Sequence, residues 1–271
     1  MFLCPICKQE LVKHEKSLKC PLNHSFDYAK SGYINLLNPG KKNNAKAGDS
    51  KEMIDARSSF FKCNAYEPIS NKLSEIVSQF DNAVIVDAGC GEGYYTKNLA
   101  KTHTESTILG FDMSKFGCEH GAKESKREDL SNLHYTVSNI FDLPLADNSV
   151  DVVTSLFAPV AFEENSRILK LGGHMIVASA GVEHLNGLKS ILYDVPYSNE
   201  EKVLNYANFQ LIRVENLKYE AQIFGNSTIS ALFTMTPYYH RTSLKDKEKL
   251  TSVDSLVTTI DVNFALYKKI K

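Results

Sequence analysis

From residue 83 onward, short apolar, β-branched runs alternate with stretches whose apolar positions recur at helical spacing, the pattern of a parallel sheet wound with helices. Ala83-Val84-Ile85-Val86 leads into Asp87, and Gly89, Gly91 and Gly93 follow at every second position before a helix-compatible segment. Further strands are predicted at 107–111, ending on Asp112, and at 133–137, 149–157 and 174–178. A helix over 161–170 should stop at Leu171-Gly172-Gly173 as a glycine C-cap, and Gly181 to Leu185 should open another. Ahead of the glycines, Asp49-Ser50 offers an N-cap for a helix over 51–63 carrying Met53, Ile54, Phe60 and Phe61. A second helix over 67–80 has Pro68 in its first turn and Ile69, Leu73, Ile76 and Val77 on one face. Alternation at 209–217 and 257–267 predicts an antiparallel terminal hairpin. The expected fold is α/β, a doubly wound Rossmann-like sheet.

The first 37 residues do not share this pattern. Cys4-Pro5-Ile6-Cys7, twelve intervening residues, and Cys20 with His24 make two short ligand pairs, and two such knuckles close a tetrahedral zinc site. His14 is a rival fourth ligand, with His24 preferred because its spacing to Cys20 makes a knuckle. So small a module buries little core, so the metal would supply most of its folding energy. Four protein ligands leave no open position, which makes the zinc structural. Phe26, Tyr28 and Tyr33 then interleave with lysine and asparagine, suiting either stacking on unpaired bases or packing of the module's own core. Residues 38–49 are turn-rich, basic and almost without large apolar side chains, and read as a linker or mobile loop.

Composition narrows the class. At 271 residues, 43% hydrophobic and 23% charged, the chain suits one α/β domain with a small appendage and excludes a disordered or fibrous protein. Met1-Phe2-Leu3 runs straight into a Cys-Pro pair, leaving no signal-segment core, and no apolar run elsewhere would span a bilayer. The expectation is a cytoplasmic protein, where a reducing environment disfavours disulfides. The net charge of −1 hides an asymmetry, because residues 1–46 hold eight lysines against only Glu10, Glu15 and Asp27. A basic module on an acidic domain is the footprint of a polyanion partner, and nucleic acid is favoured over a merely solubilising surface. The expected organisation is a zinc-binding RNA-recognition module over 1–37, a linker over 38–49 and the α/β domain over 50–271.

The glycine turn carries the main chemistry. Glycines admit positive φ and close approach of a ligand, and the N–H groups of the following helix form an electropositive cradle for a nucleoside-containing cofactor. The spacing of Gly89, Gly91 and Gly93 lacks the longer last step of the dinucleotide fingerprint. Asp87 suits a sulfonium-bearing amino acid with its ammonium group better than a pyrophosphate. Asp112, nineteen residues past Gly93, is placed to accept both ribose hydroxyls, and Asn139 and Ile140 lie where an adenine edge and face would be read.

The strings CPIC and CPLNH, then FDYAKSGYINLL, AGDSKEMIDAR, VDAGCGEGYYT, LFAPV and MTPYYHR, run in this order over nearly the whole chain. Together they resemble the bacterial 23S ribosomal RNA guanine-N1-methyltransferases, zinc-containing class I S-adenosylmethionine-dependent enzymes that include macrolide-resistance relatives. The resemblance implies that Cys4, Cys7, Cys20 and His24 hold zinc, that Tyr66, Gly91, Glu92 and His184 touch the cofactor, and that the protein is a homodimer whose zinc modules help build an RNA cleft. LFAPV departs from the commoner IYAPC pattern at Val160, which weakens any role for a thiol there.

The implied reaction is attack of guanine N1 on the sulfonium methyl, with catalysis chiefly by positioning and loss of the N1 proton to a nearby carboxylate or histidine. Glu163, His184 and Asp112 are the candidate bases, Asp112 being already committed to ribose, while Phe157 and Tyr66 are candidate walls for an extruded guanine. Two other functions fit parts of the chain. A small-molecule, quinone-type methyltransferase would have no use for a basic zinc module. A catalytically inactive RNA-binding relative would have no need to keep Asp87, the three glycines and Asp112.

Overall fold

The computed structural model of the protein describes residues 2–38, 40, 48–200 and 205–271. Most of the linker expected at 38–49 therefore lies outside the described residues. At the N-terminus, β1 (Val12–His14), β2 (Ser17–Lys19) and β3 (Ser25–Asp27) form a three-stranded antiparallel ribbon. The next strand, β4 (Ile34–Asn35), leaves the ribbon and pairs in parallel with a strand of the large sheet.

Helices α1 (Lys51–Phe61) and α2 (Glu67–Val77) follow. Ser50 caps α1 as expected, its hydroxyl accepting from Met53 N at 3.3 Å. The wound part of the chain then runs β5 (Val84–Ala88), α3 (Tyr94–Thr102), β6 (Thr107–Asp112), α4 (Lys115–Arg127), β7 (Leu133–Val137), β8 (Val150–Leu156), α5 (Phe162–Ile168), β9 (Leu169–Ala180) and α6 (Asn186–Leu192). It closes with β10 (Phe209–Phe224), α7 (Asn226–Thr234), α8 (Leu244–Glu248) and β11 (Ser255–Lys269). The eight-stranded sheet has the order β10-β11-β9-β8-β5-β6-β7-β4, parallel from β9 to β4 and antiparallel where β11 joins β9 and β10.

Two expectations need correction. The helix predicted to reach Lys170 ends at Ile168, and the backbone is already extended at Leu169. Gly172 and Gly173 are not its C-cap but lie inside β9, where β9 advances from Leu169 to His174 while β8 advances only from Val150 to Val152. This is a bulge, and Gly172 takes the positive φ of 80° that it requires. The terminal pair is antiparallel, but its strands are longer than alternation indicated and are joined through α7 and α8 rather than a tight turn.

Both faces of the sheet are covered, which is why β5 reads as an unbroken apolar run. Ile85 packs on one face with Phe60, Leu73 and Leu99, and Val86 on the other with Phe111, Ile140 and Met175. Tyr33 belongs to the first of these cores, and Phe26 and Tyr28 pack against the ribbon's own. The aromatics of the 26–37 segment are thus packing residues.

The ribbon is fastened to the sheet. Leu36 N donates to Val137 O and Leu3 N to Pro144 O, both at 2.9 Å. Phe2 lies with Phe111 at 6.3 Å between ring centres, and Lys8 reaches Asp142 at 3.1 Å.

Candidate functional site

The metal ligands are set by two tight turns. Lys8 N donates to Cys4 O and Asn23 N to Cys20 O, each at 2.9 Å, with Lys8 and Asn23 at φ 59° and 62°. These turns bring Cys4, Cys7, Cys20 and His24 together so that all four ligand atoms lie within 4.8 Å of one another. The Cys7 and Cys20 sulfurs are 3.5 Å apart, and His24 Nδ1 is 3.3 Å from Cys20 Sγ and 3.5 Å from Cys4 Sγ. A tetrahedron with zinc–sulfur bonds of about 2.3 Å and zinc–nitrogen bonds of about 2.0 Å has edges of roughly 3.5 to 3.8 Å, so the donor set fits zinc. His14 lies on exposed β1, apart from this cluster, so His24 is the histidine that the structure brings to the three cysteines.

At the carboxyl edge of the sheet, Gly89, Gly91 and Gly93 all have positive φ, at 89°, 56° and 88°. A side chain at Gly89 would stand 2.6 Å from the Ala158 methyl, and one at Gly93 would overlap the Tyr135 hydroxyl. Glycine is thus required here twice over, by the positive φ and by the close approach of neighbouring side chains.

Neighbouring acids hold its shape. Asp112 accepts from Gly91 N at 2.9 Å and from Ser114 N at 2.6 Å, and its burial raises its pKa. Asp87 lies beneath the turn, accepting the Thr96 hydroxyl at 2.6 Å and the Thr154 hydroxyl at 3.0 Å. Burial pushes Asp87 up to about 6. Glu92, also buried, is pushed up to about 7 although Arg57 opposes the shift. Arg57 was not singled out from the sequence. It reaches from α1 to Asp49 at 2.6 Å and to Glu92 at 3.4 Å.

A wall of rings faces the cradle. Phe157 directly follows β8 and lies in the left-handed region at φ 53°, with its side chain exposed. Its ring stands 5.8 Å from His184, 6.4 Å from Tyr66 and 6.5 Å from Tyr95. His184 Nδ1 accepts from Asp261 N at 3.2 Å and its Nε2 lies 3.1 Å from the Tyr66 hydroxyl. The main-chain N–H fixes Nδ1 as the acceptor, so the proton sits on Nε2 and points to the Tyr66 oxygen. Burial lowers the pKa of His184 to about 4, keeping the ring neutral. With both nitrogens engaged, His184 orients Tyr66 and has no lone pair to act as a base.

The other predicted residues are placed as follows. Asn139 Oδ1 accepts from Phe141 N at 3.0 Å, shaping the loop after β7, and Ile140 is buried against Phe111 and Leu143. Glu163 is exposed on the first turn of α5, just past the Phe157 segment.

Residues 79–250 match the family model described as Methyltransferase domain, and residues 2–46 match the one described as RlmA, N-terminal, a zinc ribbon. YxjB of Bacillus subtilis (strain 168), named for 23S rRNA (guanine-N(1)-)-methyltransferase activity, is 29% identical across 99% of this chain and 97% of its own length. The 23S rRNA (guanine(748)-N(1))-methyltransferase of Streptomyces fradiae is 29% identical across 70% of this chain and 66% of its own. Among solved structures, the YcgJ protein of Bacillus subtilis superposes with a TM-score of 0.51 at 14% identity, covering 74% of this chain and 98% of that one. BH2331 of Bacillus halodurans C-125 does so with 0.51 at 13%, covering 74% and 99%. These two likenesses show the fold alone.

Proposed function

The chain belongs to the methyltransferase-domain family and carries an RlmA-type zinc ribbon, and on that premise we propose that it transfers a methyl group from S-adenosylmethionine to N1 of a guanosine in 23S ribosomal RNA. The observation that carries this reading is the joining, in one chain matched end to end by YxjB, of a four-ligand ribbon to a glycine cradle. We divide the chain into a ribbon over 1–37, a linker over 38–49 and a methyltransferase domain over 50–271.

The turn suits S-adenosylmethionine because three glycines at positive φ lead from the end of β5, past the buried Asp87 carboxyl, into the N-terminus of α3. Gly89, Gly91, Glu92 and Gly93 would hold its amino-acid end above Asp87, Asp112 the ribose, Asn139 and Ile140 the adenine, and Tyr66 with His184 the outer face. The sulfonium supplies an already activated methyl group. The chain's own residues therefore need only align the guanine, exclude water and remove one proton. Phe157 and Tyr66 form the stacking wall. Asp112 is held by two main-chain N–H groups and His184 has no free lone pair. Of the three candidate bases, Glu163 is the one whose carboxylate has no partner among the described residues, and we assign it the N1 proton.

A groove of about 550 Å³ between the ribbon and α4, lined by Lys30, Lys115, Lys123 and Lys126 against Glu119, which pairs with Lys123, is net basic and supports an RNA partner through its phosphates. A quinone-type substrate would leave this groove unused. The substrate places the enzyme in the cytoplasm, and the homodimer implied by the resemblance belongs to the same proposal. No helix among the described residues is long and apolar enough to cross a membrane. Mass-spectrometric mapping of N1-methylguanosine in 23S RNA from cells with and without the gene tests the reading. An identical methylation map would overturn it.

A further inference from the structure

Arg57 is fixed at the rim of the glycine turn by two ion pairs, to Asp49 and to Glu92. Its Nη1 is shared between Asp49 and Glu92 and stands 2.7 Å from where a Cβ on Gly91 would be. The Arg57 side chain is 22% exposed and that of Glu92 is 5% exposed, so the pair meets largely out of water. Both acids use Nη1, and the Nε and Nη2 donors of Arg57 have no protein partner among the described residues. A half-buried guanidinium with part of its fork unpaired is matched in shape and charge to a carboxylate. When both acids are ionised they outnumber this single cation, a surplus that a nearby ammonium would offset.

We propose that Arg57 is a cofactor-binding residue, and that with Glu92 it receives the zwitterionic amino-acid end of S-adenosylmethionine, the carboxylate on the guanidinium and the ammonium on Glu92. This rests on the reading of the glycine turn as the cofactor cradle. A zwitterion answers the Arg57–Glu92 pair with opposite charges at both ends, which neither the adenine nor the ribose does.

The test is calorimetry on the full-length, zinc-loaded protein with two probes. One is S-adenosylhomocysteine; the other is 5′-methylthioadenosine, which keeps the nucleoside and sulfur but lacks the amino-acid end. Arg57→Met should weaken S-adenosylhomocysteine binding by roughly 30-fold and change methylthioadenosine binding by less than about twofold. Arg57→Lys should fall between, because it keeps the charge but loses the fork. Glu92→Gln offers a second route if Arg57→Met does not fold, and it too should affect only the probe with the amino-acid end. Asp49→Asn should keep or tighten S-adenosylhomocysteine binding, since it releases Arg57 from a competing carboxylate. Equal loss of both probes in Arg57→Met, or loss in Asp49→Asn as large as in Arg57→Met, would make Arg57 a brace for the turn and overturn the assignment. Failure of the wild-type protein to bind either probe would instead remove the cradle reading on which the assignment rests.

Discussion

Asp87 gives the sharpest quantitative expectation. It is 2% exposed, its two partners are neutral hydroxyls, and its carboxyl is moved from 3.8 to about 6 chiefly by burial. Below the unfolded value both states carry the proton, and the group favours neither. As pH rises the unfolded chain ionises first while the folded protein holds its proton, so stability is lost until the folded carboxyl ionises. Each pH unit between the two values is worth about 1.4 kcal/mol, so the folded state should be penalised by about 3 kcal/mol above that window. About 2 kcal/mol of this should develop between roughly pH 4.5 and pH 7.5. Asp87→Asn keeps the shape and removes the titration. Rotated threonine hydroxyls can still pair with the amide, at a cost of about 1 kcal/mol for the weaker hydrogen bonds. The variant should thus be more stable than wild type near neutral pH by about 1 to 2 kcal/mol, and that advantage should shrink or reverse toward pH 4.5. It should also bind S-adenosylhomocysteine more weakly. Urea titrations of both proteins across this pH range measure the difference directly, and other titrating groups, including Glu92, cancel. A stability difference that does not vary with pH, or undiminished cofactor affinity, would refute the reasoning.

Other substitutions probe the remaining parts. Cys20→Ser should lower zinc from one ion per chain and abolish RNA methylation, as read by metal analysis and a methyl-transfer assay; retained stoichiometric zinc would contradict the ligand set. Gly93→Ala should cost more than about 1 kcal/mol and eliminate cofactor binding, since φ 88° and the Tyr135 hydroxyl both oppose a side chain there. Phe157→Gly should relieve left-handed backbone strain of about 1 kcal/mol or more while depressing RNA methylation, seen as a raised Tm with reduced kcat/KM. Glu163→Gln should leave S-adenosylhomocysteine affinity intact and lower kcat, and the loss should diminish at higher pH as solvent takes over removal of the N1 proton.

What was legible in the sequence was what short spacing encodes. The two knuckles are local turns, so Cys4 to His24 could be read as a zinc set, with only the choice between His14 and His24 left for the structure. The buried strands and the glycine turn announced themselves because burial on both faces demands continuous apolar runs and the turn demands positive φ. Contacts between distant segments were not legible. Arg57 meets Glu92 across 35 positions and His184 meets Tyr66 across 118, and nothing in either neighbourhood marks the other. Gly172-Gly173 misled for a physical reason, because a glycine pair serves a helix end and a β-bulge equally well.

The parallel pairing of β4 with β7 gives the ribbon a second consequence, in the fate of the protein without metal. Ile34 and Asn35 cover the parallel edge of the mixed sheet, and Leu36 extends that cover to the last residue of β7. An uncovered strand edge offers a row of unpaired N–H and C=O groups to any other chain. Because the metal supplies most of the ribbon's folding energy, chelation should strip the cover from β7 as well as remove an RNA contact. Zinc-depleted protein is then expected to self-associate through that edge before its methyltransferase core unfolds, so metal supply would govern its solubility as directly as its activity.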